Sequence, residues 1–247
     1  MAVKRKRIGV LIGSANAEHM RKILNGMYHA VEDYGIDLVV FAGSQMQLHF
    51  MDGSDIDNDY MYMNYVNRLQ VRQNNIDGMI ICYGSHGIYM NDAEKSNLLD
   101  QFADIPYILM EEFSDKEETS YIINDNYNGM RKVVEHLTDY HGYTKFLYVG
   151  GIEGNREAIE RQRAFEDVLN ERNIPFNESM MVNGQFSERC EEQIRQLFDR
   201  NEFPEAVVCA SDLMAMGECG FRKKDRNKAR QRRAVQAAGR GGQDLFL

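Results

Sequence analysis

Short apolar runs closed by glycine or a polar pair alternate with segments of helical periodicity along most of this chain, and few architectures accept that alternation. Arg7 to Gly13 (RIGVLIG) is one such run, ended by Gly13-Ser14. Behind it Met20, Ile23, Leu24, Met27, Tyr28, Val31 and Tyr34 recur at the spacing of an amphipathic helix, and Gly35 is placed to stop it. Asp37 to Ala42, Asp77 to Tyr83, Ile105 to Met110 and Tyr121 to Ile123 read as further strands. Helical patterns fall at 60–72 and 91–102 and on the stretch holding Met130, Val133, Val134 and Leu137. A second series follows: strand 145–149, helix 158–172, strand 179–182, helix 190–200 and strand 206–210. Buried strands joined by helices imply right-handed crossovers on parallel sheets. The expected fold class is α/β, with two doubly wound parallel-sheet lobes changing over near Tyr140-His141-Gly142-Tyr143.

The 247 residues are 43% hydrophobic and 27% charged, which excludes a disordered chain, a collagen or a disulfide mini-scaffold. Cys82, Cys190, Cys209 and Cys219 form no CxxC pair, so neither structural zinc nor a disulfide framework is expected. The apolar run Ile8 to Ile12 is too short for a signal peptide or a membrane span. A cytoplasmic protein with reduced thiols is the expectation, with no metal, no cofactor and no membrane contact. Ser, His and Asp are present, but no GxSxG, HExxH or phosphate loop organises them. Catalysis is therefore not expected.

Charge is unevenly placed. Of 29 Lys and Arg, nine lie in residues 221–247 with only two acids, which leaves 20 basic against 36 acidic residues in 1–220. The basic end has almost no apolar periodicity and reads as a loosely ordered extension rather than a nucleic-acid arm.

In a doubly wound sheet, ligands sit at the carboxyl ends of the strands. The loops this selects hold Ser14 and Asn16, then Tyr83, Ser85 and His86, then Asp125, and finally Ser211 and Asp212. Ser14 and Asn16 suit either a ligand or a helix cap, and Asp125 either sugar hydroxyls or the cap of the next helix. Tyr83 and His86 stand where a ring could stack on a ligand, although a structural role for His86 is common.

Ordered motifs run from Ile123 to Phe176: Asp125-Asn126, Gly129, Glu135-His136-Leu137, His141-Gly142-Tyr143, Val149-Gly150-Gly151, Arg161 and Phe165. A second set is Ala206 to Asp212 followed by Met214, Ala215 and Gly217. Together they resemble the ligand-sensing region of LacI/GalR-type transcriptional regulators, which have the type I periplasmic-binding-protein fold. The resemblance covers about residues 6–218, with Ala164 and Ser211 departing from the family's glycine and asparagine. It implies an N-terminal sensor lobe at 6–139, a C-terminal lobe at 140–220 and a basic tail at 221–247 outside the family pattern. The second lobe is then incomplete, and strand 206–210 is left with an unpaired edge.

The resemblance further implies a small polar metabolite, a sugar among the candidates, held between the lobes of a homodimer. Arg161 would grip it, unless it is only a helix charge paired with Glu157 or Glu160 one turn away. A pure ligand contact could be removed with little loss of stability. DNA would be met only through a helix-turn-helix, for which Met1 to Lys6 leave no room. The same sensor type precedes diguanylate cyclase domains, which is the alternative reading. A solute-binding protein is disfavoured by the lack of a signal peptide.

Overall fold

A computed structural model describes residues 5–13, 15, 18–43, 69–71, 75–86, 92–114, 116, 119–187, 190–201, 204–217 and 234–237. Two compact units divide the chain between Asn124 and Asp125. That division precedes the expected changeover at 139/140. The helix that follows Asp125 packs with the second unit, for reasons given below.

The first unit carries β1 (Arg7–Ile12), α1 (Glu18–Tyr34), β2 (Asp37–Ala42), β3 (Gly78–Cys82), the single turn α2 (Tyr83–His86), α3 (Asp92–Asp100), β4 (Tyr107–Met110) and β5 (Ser120–Ile122). Its sheet is parallel throughout, in the order β2-β1-β3-β4-β5. Alternate residues of β1 feed opposite faces. Leu11 joins Phe41, Met79, Ile81, Leu98, Phe102 and Leu109 on one face. Val10 and Ile12 join Met20 and Leu24 of α1 on the other. This double burial is why the strands read as continuous apolar runs.

The second unit carries α4 (Asn126–Glu135), one π-helical turn (His136–Tyr140), β6 (Phe146–Gly150), α5 (Arg156–Glu171), β7 (Met181–Asn183), α6 (Glu191–Arg200), β8 (Ala206–Cys209) and β9 (Ala234–Ala237). Its parallel sheet has the order β7-β6-β8-β9. Phe165 of α5 anchors the core, stacked on Tyr148 at 4.7 Å and edge-on to Phe146 and Phe176. Helices α4 and α5 are tied on their outer side. Arg131 and Glu171 form a two-point ion pair, Arg172 grips Asp139 through Nε and Nη2 at 2.6 Å each, and Tyr127 donates to Asp167 at 2.7 Å. This is what assigns α4 to the second unit.

Strand β9 departs from the expectation for the basic end. Ala234–Ala237 pairs in register with Ala206–Cys209, so β8 is an interior strand with β6 and β9 on its two sides. Residues 221–233 and 238–247, the rest of the expected tail, lie outside the described residues. Among the described residues no helix is long and apolar enough to cross a membrane. Cys82, Cys190 and Cys209 are buried and form no disulfide among the described residues. Burial, reinforced by the charge of Glu111, pushes the Cys82 thiol up to about 12, which makes it inert.

Candidate functional site

Strand order reverses between β6 and β8 in the second sheet, and in open α/β sheets ligands bind outside the carboxyl ends of the strands at such a switch point. Arg161, one turn into α5, spans it. Its Nε and Nη2 donate to Asn126 Oδ1 at 3.0 and 2.7 Å, and Nη1 donates to the Ala210 carbonyl at 2.7 Å. Nη2 also meets Glu157 Oε2 at 3.3 Å. The side chain is only 13% exposed. A guanidinium has five N–H donors, so four are engaged and one on Nη1 remains. The single fork thus joins the start of α4, the body of α5 and the end of β8.

Each partner is placed by local chemistry. Asp125 caps α4, accepting from the Asn128 backbone N–H at 3.1 Å and its side-chain amide at 2.9 Å. These two bonds, the side-chain one foremost, hold the exposed Asp125 carboxyl below the usual carboxylate range. The cap turns Asn126 inward, where it is 8% exposed. Asn155 caps α5 by accepting from Ala158 N at 3.0 Å, which brings Glu157 and Arg161 to the switch point on one helical face. Ser211 Oγ accepts from Met214 N at 3.5 Å and starts the helical turn 212–217. Asp212, next to it, is exposed.

One aromatic ring completes this edge. Phe186 lies in the loop after β7, with its ring 5.9 Å from the Arg161 guanidinium carbon. Gly184 N donates to the Gly150 carbonyl, and Ser187 N closes the turn onto Gly184. Inside that turn Gln185 and Phe186 both adopt positive φ, +56° and +55°. Left-handed backbone costs a non-glycine residue about 1–2 kcal/mol, and such strain gathers at ligand clamps. The ring reaches this position because Gly151 has no side chain. A Cβ there would stand 2.3 Å from Phe186 Cζ and 2.9 Å from Ala158 Cβ.

Of the residues expected from sequence, Asp125, Arg161, Ser211 and Asp212 gather at this one edge. Tyr83 and Ser85 fall in the first unit. Tyr83 is 1% exposed, packs with Leu98 and Phe102, and donates its hydroxyl to the Lys95 carbonyl at 2.9 Å. It is a core residue, and its ring presents no open face for stacking. Ser85 Oγ accepts from Gly13 N and donates to the Cys82 carbonyl, both at 3.1 Å, which ties β1 to β3 at their own switch point. His86 ends α2, and its side chain lies outside the described residues, as do Ser14 and Asn16. Phe186 was not anticipated. The signal was available, because the Gly184-Gln185-Phe186 turn follows a strand end just as the other candidate loops do.

The chain matches the family described as periplasmic binding proteins and sugar binding domain of LacI family, over residues 5–238. It is 28% identical over 127 residues to the HTH-type transcriptional repressor PurR of Vibrio atlanticus, which covers 50% of this chain and 37% of the repressor. The chain spans 37% of the length of that repressor and 62% of the PurR of Mannheimia succiniciproducens, to which it is 24% identical. The transcription regulator CcpA of Lactococcus lactis superposes with a TM-score of 0.73 at 16% identity, covering 95% of this chain and 78% of that one. The transcriptional regulator CelR in complex with cellobiose gives 0.71 at 19% identity, covering 95% and 67%. At such identities the two structures speak to the fold.

Proposed function

This chain belongs to the family of periplasmic binding proteins and LacI-type sugar-binding domains, and from that membership we propose that it is the effector-sensing module of a bacterial transcriptional regulator. The observation that supports a binding site in the second unit is the Arg161 fork beside the Phe186 ring at the β6/β8 switch point. A ring offers an apolar face, and the remaining Nη1 hydrogen of Arg161 with the exposed Asp212 offers polar contacts at its rim. That pairing suits a small, uncharged, hydroxyl-rich metabolite, for which the cellobiose complex of CelR is a parallel. Arg161 is largely committed to its own chain. Its part is to fix the edge of the site and give one hydrogen bond, rather than to grip a carboxylate with two.

In this reading the module works as a homodimer, DNA is met by a separate helix-turn-helix element, and no chemistry is performed on the effector. An effector that binds one conformation more tightly shifts the population toward it by that difference in affinity. The relatives named above are transcriptional regulators, which favours this reading over a diguanylate cyclase sensor.

The test is a thermal-shift screen of neutral mono- and disaccharides and nucleobases alongside anionic sugar phosphates and carboxylates, followed by calorimetry on any hit. A compound that stabilises the parent, and binds Phe186→Ala roughly tenfold more weakly, a loss of about 1.4 kcal/mol, supports the assignment. A hit whose affinity is unchanged by Phe186→Ala moves the site elsewhere. A hit confined to anionic compounds overturns the proposed effector class.

A further inference from the structure

On the opposite, solvent-facing end of α4 the helix widens by one residue. His141 N donates to the His136 carbonyl at 3.3 Å, and residues 136–140 form the π-helical turn. An i to i+5 bond brings residues 136 and 141 onto one face, where an α-helix would splay them. Such turns occur often at functional sites.

The side chains use that alignment. His136 Nε2 and His141 Nε2 face each other at 3.1 Å. Each imidazole is also held by a tyrosine. His136 stacks on Tyr140 with centroids 5.1 Å apart and planes 11° from parallel, and His141 stacks on Tyr143 at 5.2 Å and 16°. The two imidazole planes are nearly perpendicular, at 87°. His141 and Tyr140 are exposed, Tyr140 at 78%.

We propose that His136 and His141 form a bidentate surface site for a borderline divalent transition-metal ion of the zinc or nickel class. The geometry meets the requirement directly. Two imidazole nitrogens on one such ion, each about 2.0–2.1 Å from it, stand roughly 2.9–3.4 Å apart for bond angles between a right angle and the tetrahedral value. The observed separation lies in that window. A hydrogen bond between a half-buried and an exposed imidazole adds little against competing water, and it does not call for both rings to be braced. Bracing by Tyr140 and Tyr143 does serve a chelate, because the rotamer entropy lost on binding is already surrendered. Imidazole nitrogen suits zinc, nickel and copper over magnesium or calcium. Among the described residues no group of three or more His, Cys, Asp or Glu is placed to hold an ion. The nearby Asp139 carboxylate is gripped by Arg172. Water therefore completes the shell, and the affinity belongs in the micromolar range or weaker. A bound ion would cross-link residues 136 and 141 and stiffen the end of α4.

The test uses the full chain purified without a histidine tag. Nickel and zinc chloride are titrated by calorimetry, and cobalt chloride by the visible absorbance that imidazole coordination produces. One ion per chain is expected, with binding weakened roughly tenfold or more in His141→Ala and in His136→Ala. His29→Ala, on α1, is expected to bind as the parent does. Because His136 is half-buried, His141→Ala, at an exposed position, decides the matter if the first variant folds poorly. Equal affinity in His141→Ala and the parent, or no binding below millimolar metal, overturns the site.

Discussion

Arg161 donates twice to the side-chain oxygen of Asn126, at 3.0 and 2.7 Å, across the switch point of the second sheet. The bond ties the first turn of α4 to α5 while Nη1 holds the end of β8. Removing the arginine takes away hydrogen bonds at two nearly buried acceptors, Asn126 Oδ1 and the Ala210 carbonyl, and each such loss costs about 1–3 kcal/mol. Arg161→Ala should therefore lower the stability of the unliganded protein by about 2–4 kcal/mol, measured by urea unfolding. The hydrogen bonds of Arg161 thus predict the opposite of the sequence expectation that a ligand-gripping arginine could be removed at little cost. An unchanged unfolding midpoint would show that the fork is not structural.

Gly151 leaves the space that Phe186 fills. In Gly151→Ala the new Cβ meets the ring at 2.3 Å and the Ala158 Cβ, on a packed helix, at 2.9 Å. The ring has to leave, because α5 is held by its core contacts. The expected cost is about 1–3 kcal/mol from overpacking, together with weaker binding of any effector that stacks on the ring. If stability and binding both match the parent, Phe186 is not held where it is by the absence of that side chain.

Tyr148 is fully buried, and its hydroxyl has no hydrogen-bond partner among the described residues. Burial pushes its ionisation well above the usual range, with the Arg161 charge partly opposing the shift. An unsatisfied buried hydroxyl is unfavourable, so Tyr148→Phe, which keeps the stack on Phe165, should leave stability equal to the parent or raise it by about 1 kcal/mol. A drop of that size in a thermal melt would reveal a partner for the hydroxyl.

The outer side of the second unit should be acid-sensitive. Hydrogen bonds from Arg172 hold the exposed Asp139 carboxyl down to about 2, from an ordinary 3.8. Arg131 lowers Glu171 in the same way. A depressed carboxylate contributes its stability fully above the ordinary value and loses it as pH falls through the folded one. The melting temperature of the parent should fall between about pH 4 and pH 2, and Asp139→Asn should show a shallower slope in that window. Parallel slopes, read by circular dichroism, would remove Asp139 from the account.

Much of the fold was legible because burial on both faces of a parallel sheet leaves a plain mark. RIGVLIG and AVVCA could hardly be anything but buried strands, and Gly13-Ser14 after the first and Ser211-Asp212 after the second marked where the chain turns. The helix at 126–135 was legible as a helix, but its allegiance was not. Its apolar stripe is indifferent to which sheet it covers, and contacts such as Arg131 with Glu171, forty residues on, decide that it belongs to the second unit. Strand β9 was hidden for a different reason. Its segment AVQA follows Arg232-Arg233 and has no run of bulky side chains, yet parallel pairing is made by backbone groups that every sequence carries.

The site divides along the same line. Sequence determined which loops lie at strand ends, and so brought Asp125, Arg161, Ser211 and Asp212 into view, because strand order and helix phase are written in local periodicity. Only the tertiary structure decided what those residues do. It turned Arg161 inward onto Asn126 and Ala210, made Asp125 a helix cap, and sank Tyr83 into the core. It also set Phe186 beside the guanidinium through a strained turn and a missing Cβ. Periodicity fixes which face a side chain takes, whereas its partners come from other segments of the chain, and no local pattern records which of them will arrive.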